Sequence, residues 1–153
     1  TSPKHLGIQG GSNGGLLTGN MLVQYLELFG AVVVQVPLLD MKRYNHLLAG
    51  ASWMAEYGNP DKPADWSFIQ GFSPYHLFDA KKDYPATLFT TSTKDDRVHP
   101  AHARKMMALM EAAGKDVRYY ENIEGGHGGA ANNAQSAHMS ALAYTFLWQQ
   151  LTK

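Results

Sequence analysis

The sequence predicts an α/β fold: a parallel sheet with helices on both faces. Two observations carry this expectation. Four short strand-like runs, Leu6 to Gln9, Ala31 to Val36, Ala86 to Thr91 and the alternating Val117 to Tyr120, are separated by longer stretches that include helix-like spacing of apolar residues every three or four positions. The second run, Ala31-Val32-Val33-Val34-Gln35-Val36, is β-branched and apolar on both faces, as a central parallel strand must be.

Taken in order, Leu6 to Gln9 is short and bounded by glycine, as a buried strand would be. Leu16, Leu17, Met21, Leu22, Tyr25, Leu26 and Phe29 then mark one face of an amphipathic helix, with Gly30 as its C-terminal cap. Pro37 ends the second strand. Met41 to Tyr57 reads as a helix through Tyr44, Leu47, Leu48, Trp53 and Met54, and Gly58-Asn59-Pro60-Asp61 as a turn. Asp65 is expected to cap a short helix to Ile69, and Ser73-Pro74 to open a helical turn through Ala80. After the third strand, Ser92 to Val98 is a polar loop. Pro100 suits the first turn of a helix over Ala101 to Ala113, closed by Gly114. Glu124 to Gly129 is a glycine-rich loop, and Ala130 to Leu151 a last helix with Leu142, Tyr144, Phe146 and Leu147 as expected core positions.

Composition narrows the function classes. The 153 residues amount to one domain, 44% hydrophobic and 17% charged, enough to bury roughly two-thirds of the unfolded chain's surface. Thirteen basic and thirteen acidic residues cancel, and no basic block points to nucleic acid. No apolar run approaches the ~20 residues of a membrane span. With no cysteine, thiolate chemistry and disulfides are excluded. Thr1-Ser2-Pro3-Lys4 reads as a linker entering a strand, so a piece of a longer chain is expected.

The chemistry collects in three loops, each leaving the C-terminal end of a predicted strand, where α/β sheets place their sites. Gly10-Gly11-Ser12-Asn13-Gly14-Gly15 carries the G-x-S-x-G pattern, a sharp strand-to-helix turn that lifts a serine hydroxyl above the sheet. Small residues are expected on both sides of Ser12, because side chains there would collide with neighbouring elements. The helix N-terminus aims free N–H groups at a developing oxyanion, which makes the backbone N–H of Asn13 the natural first donor. Asp95 and Asp96 follow the third strand, and His127 follows the fourth between two pairs of glycines. Ser, then Asp, then His is the order expected of an α/β-hydrolase triad. A serine hydroxyl needs a neighbouring imidazole to take its proton, and the imidazole needs a carboxylate to fix its tautomer. His5, His46, His76, His102 and His138 have ordinary helix or strand neighbours. His99 and His102 have a His-x-x-His spacing near two aspartates, but no third histidine or cysteine ligand accompanies them, and no metal or other cofactor is expected.

Gly10 to Gly15, Asp95-Asp96-Arg97-Val98-His99-Pro100 and Gly126-His127-Gly128 together resemble the catalytic domain of prolyl oligopeptidases, serine peptidases of the α/β-hydrolase fold. Leu38-Leu39-Asp40-Met41 and Ala51 to Gly58 resemble it too, so the likeness covers nearly the whole chain. It implies the C-terminal part of that fold and hydrolysis of short peptides after proline through an acyl-enzyme on Ser12. It implies His127 as general base and Asp95 as its orienting acid, with Asp96 structural and bound to loop backbone. Arg97 resembles the arginine that holds a substrate carbonyl one residue before the cleaved proline, and Trp53 the tryptophan that stacks on the proline ring. Tyr57 and Val98 match other walls of that pocket. A core aromatic is the competing reading of Trp53, and a surface ion pair with Asp96 that of Arg97.

The resemblance also implies parts that residues 1–153 do not contain: earlier strands with a tyrosine that donates the second oxyanion bond, and a β-propeller that filters substrates by size. One lost oxyanion donor costs ~10²–10³ in rate, so weak or absent activity is expected of these residues alone. The first strand would offer an unpaired edge, to be covered by the missing segment or by a second copy. Two alternatives stay open: an esterase or aminopeptidase of the same fold, and a non-catalytic piece that associates through this edge.

Overall fold

The computed structural model describes residues 1–153. Its elements are β1 (Gly7–Gly11), α1 (Asn13–Gln24), β2 (Ala31–Gln35), α2 (Met54–Tyr57), α3 (Pro63–Ile69), α4 (Pro74–Leu77), β3 (Ala86–Ser92), α5 (Ala101–Ala112), β4 (Val117–Asn122) and α6 (Asn133–Leu151). The strands form one sheet in the order β1-β2-β3-β4, and every neighbouring pair is parallel.

Alternation along the strands divides the core between the two faces of the sheet. Val32, Val34 and Phe89 point one way, onto Leu22 and Val23 of α1 and Met106 and Met110 of α5. Ala31, Val33 and Leu88 point the other way, onto Ala143 and Phe146 of α6. β2 is buried on both faces, and each fully buried aliphatic or aromatic side chain contributes about 1.5–3 kcal/mol. Helices therefore cover both faces, as the pattern of apolar runs predicts. No helix is long and apolar enough to cross a membrane.

Several boundaries differ from the sequence expectation, each for a local reason. α1 stops at Gln24, and Leu26–Leu28 is a separate 3-10 turn. Gly30 does not cap it in a left-handed conformation. Its N–H instead bonds the Leu6 carbonyl at 2.8 Å, and a side chain there would strike the Lys4 carbonyl. Gly114, by contrast, takes φ +69 after α5, with its own N–H on Glu111 and that of Lys115 on Met110, a Schellman closure.

Met41 to Tyr57 is not one helix. It breaks into 3-10 turns at Tyr44–His46 and Leu48–Trp53 before the four residues of α2. Leu48 takes φ +52, and Gly50 packs against the Tyr44 backbone where a side chain would not fit. The segment wraps its own small core, in which Leu16, Leu38, Met41, Tyr44, Ile69 and Val98 are buried together. Asp65 does not cap α3, which starts two residues earlier at Pro63. Its carboxylate accepts the Asn59 N–H at 2.8 Å and holds the preceding turn. α4 ends at Leu77, short of Ala80, and α6 starts at Asn133 because Asn132 caps it, accepting the Gln135 N–H at 2.9 Å. Tyr144, expected in the core, is exposed.

Candidate active site

Three backbone bonds continue the ladders past the strand ends. The N–H of Ser12 reaches the Gln35 carbonyl (2.9 Å), that of Val36 reaches Thr90 (2.8 Å), and that of Thr93 reaches Asn122 (2.9 Å). The loops after β1, β3 and β4 therefore leave one rim of the sheet in fixed register.

Ser12 sits on the turn between β1 and α1 at φ +59, ψ −117, which L side chains adopt only under strain from the surrounding structure. The small residues around it are needed at particular places. A side chain at Gly10 would strike the Gly14 carbonyl, and a Cβ at Gly15 would come within 2.9 Å of the Gln35 carbonyl and 2.8 Å of the Pro37 ring. At Gly14, where the sequence pattern also led us to expect crowding, there is open space. Asn13 is the first residue of α1, and its backbone N–H, without an intrahelical partner, emerges beside the serine.

Asp95 is buried in the loop after β3. Its Oδ1 accepts the backbone N–H groups of Arg97 and Val98, both at 2.9 Å, which fixes the carboxylate before any histidine approaches. The loop anchoring expected of Asp96 thus belongs to Asp95; Asp96 is exposed and its side chain makes no hydrogen bond. His127 Nδ1 lies 2.9 Å from Asp95 Oδ2, and His127 Nε2 lies 3.0 Å from Ser12 Oγ. A carboxylate can only accept, so Nδ1 carries the proton, and Nε2 of the neutral ring is left to accept from the serine hydroxyl. Residues 12, 95 and 127 thus form one continuous relay of hydrogen bonds.

A residue that sequence reasoning missed holds the histidine loop. Asn122, at the end of β4, accepts the N–H groups of Glu124 (2.9 Å) and Gly125 (3.0 Å) and donates to the Gly129 carbonyl (3.2 Å) and to Gln135 (2.9 Å). One side chain closes both ends of the loop that carries His127. Asparagine's taste for bonding its own nearby backbone was the available signal.

A cavity of 120 Å³ opens beside Ser12, lined by Asn13, Trp53, Tyr57 and Arg97, with Leu38 and Glu56 at its sides. Trp53 is half-buried against the small core and also faces this cavity, so it is not solely a core aromatic. Arg97 is exposed and makes no ion pair with Asp96. Val98 does not line the cavity. It is buried behind it, among Leu16, Leu38 and Met41. His99 and His102 spend their Nδ1 atoms on backbone N–H groups: His99 on Ala101, His102 on Leu39 and Asp40. Among Cys, His, Asp and Glu side chains, no group of three could hold a metal.

The chain is similar in sequence and fold to known proteins. The whole chain, residues 1–153, matches the prolyl oligopeptidase family. An uncharacterised peptidase of Sinorhizobium fredii is 56% identical over 151 residues, covering 99% of this chain and 21% of that protein. A post-proline cleaving enzyme from Rickettsia typhi is 41% identical and superposes with a TM-score of 0.92 over 99% of this chain and 22% of its own. A prolyl endopeptidase structure at 45% identity gives the same TM-score of 0.92 and covers 23% of that chain. The chain spans about a fifth of the length of these relatives. A family match over residues 1–153, with likeness in sequence and in fold over 99% of the chain, leaves one assignment: the chain belongs to the prolyl oligopeptidase family.

Proposed function

We propose that residues 1–153 are the C-terminal part of an α/β-hydrolase catalytic domain and supply the triad of a serine-type peptidase that hydrolyses short peptides after proline. The observation that carries this reading is the unbroken relay Ser12–His127–Asp95.

His127 Nε2 takes the proton of Ser12 as Oγ attacks the scissile carbonyl, and Asp95 stabilises the imidazolium that forms. The Asn13 N–H, at the positive end of α1, meets the oxyanion. Collapse of the tetrahedral intermediate breaks the C–N bond, with His127 returning the proton to the leaving amine. Water, deprotonated by the same imidazole, then releases the acyl group from Ser12. The proline ring fits the slot between Trp53 and Tyr57, and Arg97 is placed to bind the carbonyl one residue earlier. The slot wall holds no fully buried carboxylate, which a basic side chain would require.

Labelling with a fluorophosphonate tests the nucleophile. Labelling is expected in the parent and lost in Ser12→Ala, and sharply slowed in His127→Ala; labelling that persists in Ser12→Ala would discard the assignment. Turnover of esters with no proline preference would favour an esterase of the same fold. The second reading, association through a sheet edge, draws on β1, which pairs only with β2 and leaves its other edge free. It predicts a mass that rises with concentration and no labelling of Ser12.

A further inference from the structure

Tyr57 does more than line the cavity. Its hydroxyl donates to Asn13 Oδ1 at 2.6 Å, across 44 residues of sequence, and this is the one hydrogen bond made by the Asn13 side chain. The partner matters because of what Asn13 is: the residue after Ser12, first in α1, whose backbone N–H serves the oxyanion. The tyrosine ring is itself held. It meets Tyr44 edge-to-face at 5.7 Å between centroids and packs on Phe72 at 6.3 Å, while the Tyr44 hydroxyl bonds the Gly58 carbonyl next in sequence to Tyr57. Burial raises the Tyr57 phenol above its ordinary value, with the Glu56 charge adding to it, so it stays a donor at neutral pH.

We propose that the Tyr57 hydroxyl is a positioning group: by holding the Asn13 side chain it fixes the N–H that stabilises the oxyanion, and so couples a filled proline slot to the reacting centre. This rests on the acyl-enzyme reading of Ser12. The bond is open to solvent in the free protein and competes with water there. A proline ring seated between Trp53 and Tyr57 excludes that water and strengthens the bond when the oxyanion donor is needed. Peptides that fill the slot are then favoured in turnover as well as in binding.

The test uses Tyr57→Phe, which keeps the ring and its packing, with Asn13→Ala and the double variant, all in the whole protein. Outright loss of an oxyanion donor costs ~10²–10³; misplacing one is expected to lower kcat about tenfold with KM changed less than twofold. Asn13→Ala should show the same loss, and the double variant no more than either single. A peptidyl prolyl boronate, whose adduct oxygen occupies the oxyanion position, should bind about tenfold more weakly to Tyr57→Phe, while a peptidyl pyrrolidide, whose ring fills the slot with no carbonyl at the oxyanion position, binds unchanged. Equal weakening of both ligands would make Tyr57 a wall only and overturn the proposal, as would an unchanged kcat or losses that multiply in the double variant. Hydrolysis surviving in Ser12→Ala, where the Tyr57–Asn13 pair is intact, would instead overturn the acyl-enzyme reading and this proposal with it.

Discussion

Replacing Asp95 by asparagine and by alanine should separate its two jobs in opposite directions. In the parent, Oδ1 accepts two backbone N–H groups and Oδ2 faces His127 Nδ1. In Asp95→Asn the amide oxygen must stay on the backbone side, since an NH₂ there would oppose two donors. The NH₂ then faces His127 and donates to Nδ1, which drives the proton to Nε2. An Nε2–H cannot accept from Ser12, so under the proposed mechanism kcat should fall by about 10⁴, as known Ser-His-Asp triads do with this change, equivalent to about 5 kcal/mol of transition-state stabilisation. Stability should barely move, because both backbone bonds survive. Asp95→Ala is expected to do the reverse. The N–H groups of Arg97 and Val98 lose their acceptor inside the fold at about 1–3 kcal/mol each, which lowers Tm by several degrees. The imidazole is then free to choose its tautomer, and residual kcat should exceed that of Asp95→Asn. Steady-state hydrolysis of a prolyl anilide and thermal unfolding of the same preparations check both. A Tm loss in Asp95→Asn as large as in Asp95→Ala, or near-parental activity in Asp95→Asn, would refute this account of the carboxylate.

Trp53→Ala should weaken turnover of proline substrates more than that of simple esters, by about two- to tenfold if ring stacking contributes its usual 0.5–1.5 kcal/mol; equal losses in paired assays would count against stacking. Asn122→Ala removes the clasp on the histidine loop and should lower kcat with little change in KM, while proteolysis within residues 123–130 quickens; unaltered cleavage there would show that the loop is held otherwise. His102 is 1% exposed, and burial pushes its imidazole down to about 4. Below about pH 6.5 the unfolded chain takes up a proton that folded His102 refuses until about pH 4, so stability should fall as pH drops through that window, by up to about 3 kcal/mol. His102→Asn, whose amide oxygen could still accept from Leu39 and Asp40, should flatten the slope of Tm against pH over that range, and unchanged slopes would exclude His102 as its source.

Legibility in the sequence followed how local the determining forces are. The four strands and the three long helices that follow β1, β3 and β4 were readable because burial on a sheet or on one helix face imposes a repeat on the residues themselves. Gly114 was readable because a left-handed cap is a property of one residue. Met41 to Tyr57 misled because its helix-like spacing comes from packing around Tyr44 and Ile69, a contact set by chain elsewhere; Leu48 serves that packing at φ +52, and Gly50 by lying against the Tyr44 backbone where a side chain would not fit. The meeting of residues 12, 95 and 127 was legible only as order along the chain together with likeness to a family. Spacing alone was silent on which aspartate turns inward. That depends on Asp95 having two N–H groups within reach, a three-dimensional accident of the loop that Asp96 does not share. Asn122 and the Tyr57 hydroxyl escaped notice because each acts through backbone or an amide, with no charge or motif to single it out.

The relay residues are held by different forces, and this bears on how the site can move. Ser12 is fixed by backbone: its N–H extends the β1–β2 ladder, and glycine-only space at positions 10 and 15 locks its positive φ. Asp95 is fixed by two N–H groups of its own loop. His127 has neither restraint. Its ring is partly exposed where the Asp95 side chain is fully buried, and its loop borders a 200 Å³ cavity formed with Gly11, Thr90, Gly128 and Met139. Ser12 is therefore held by the sheet ladder and Asp95 by its own loop, while His127 depends on the Asn122 clasp and on its own two contacts. Any force that closes or opens the site acts at least cost on residues 123–130, because displacing Ser12 would mean breaking a ladder and displacing Asp95 would strand buried donors. In the proposed mechanism the imidazole must face first a serine and then a water, and it is the one member of the relay held by neither a ladder nor a pair of backbone donors.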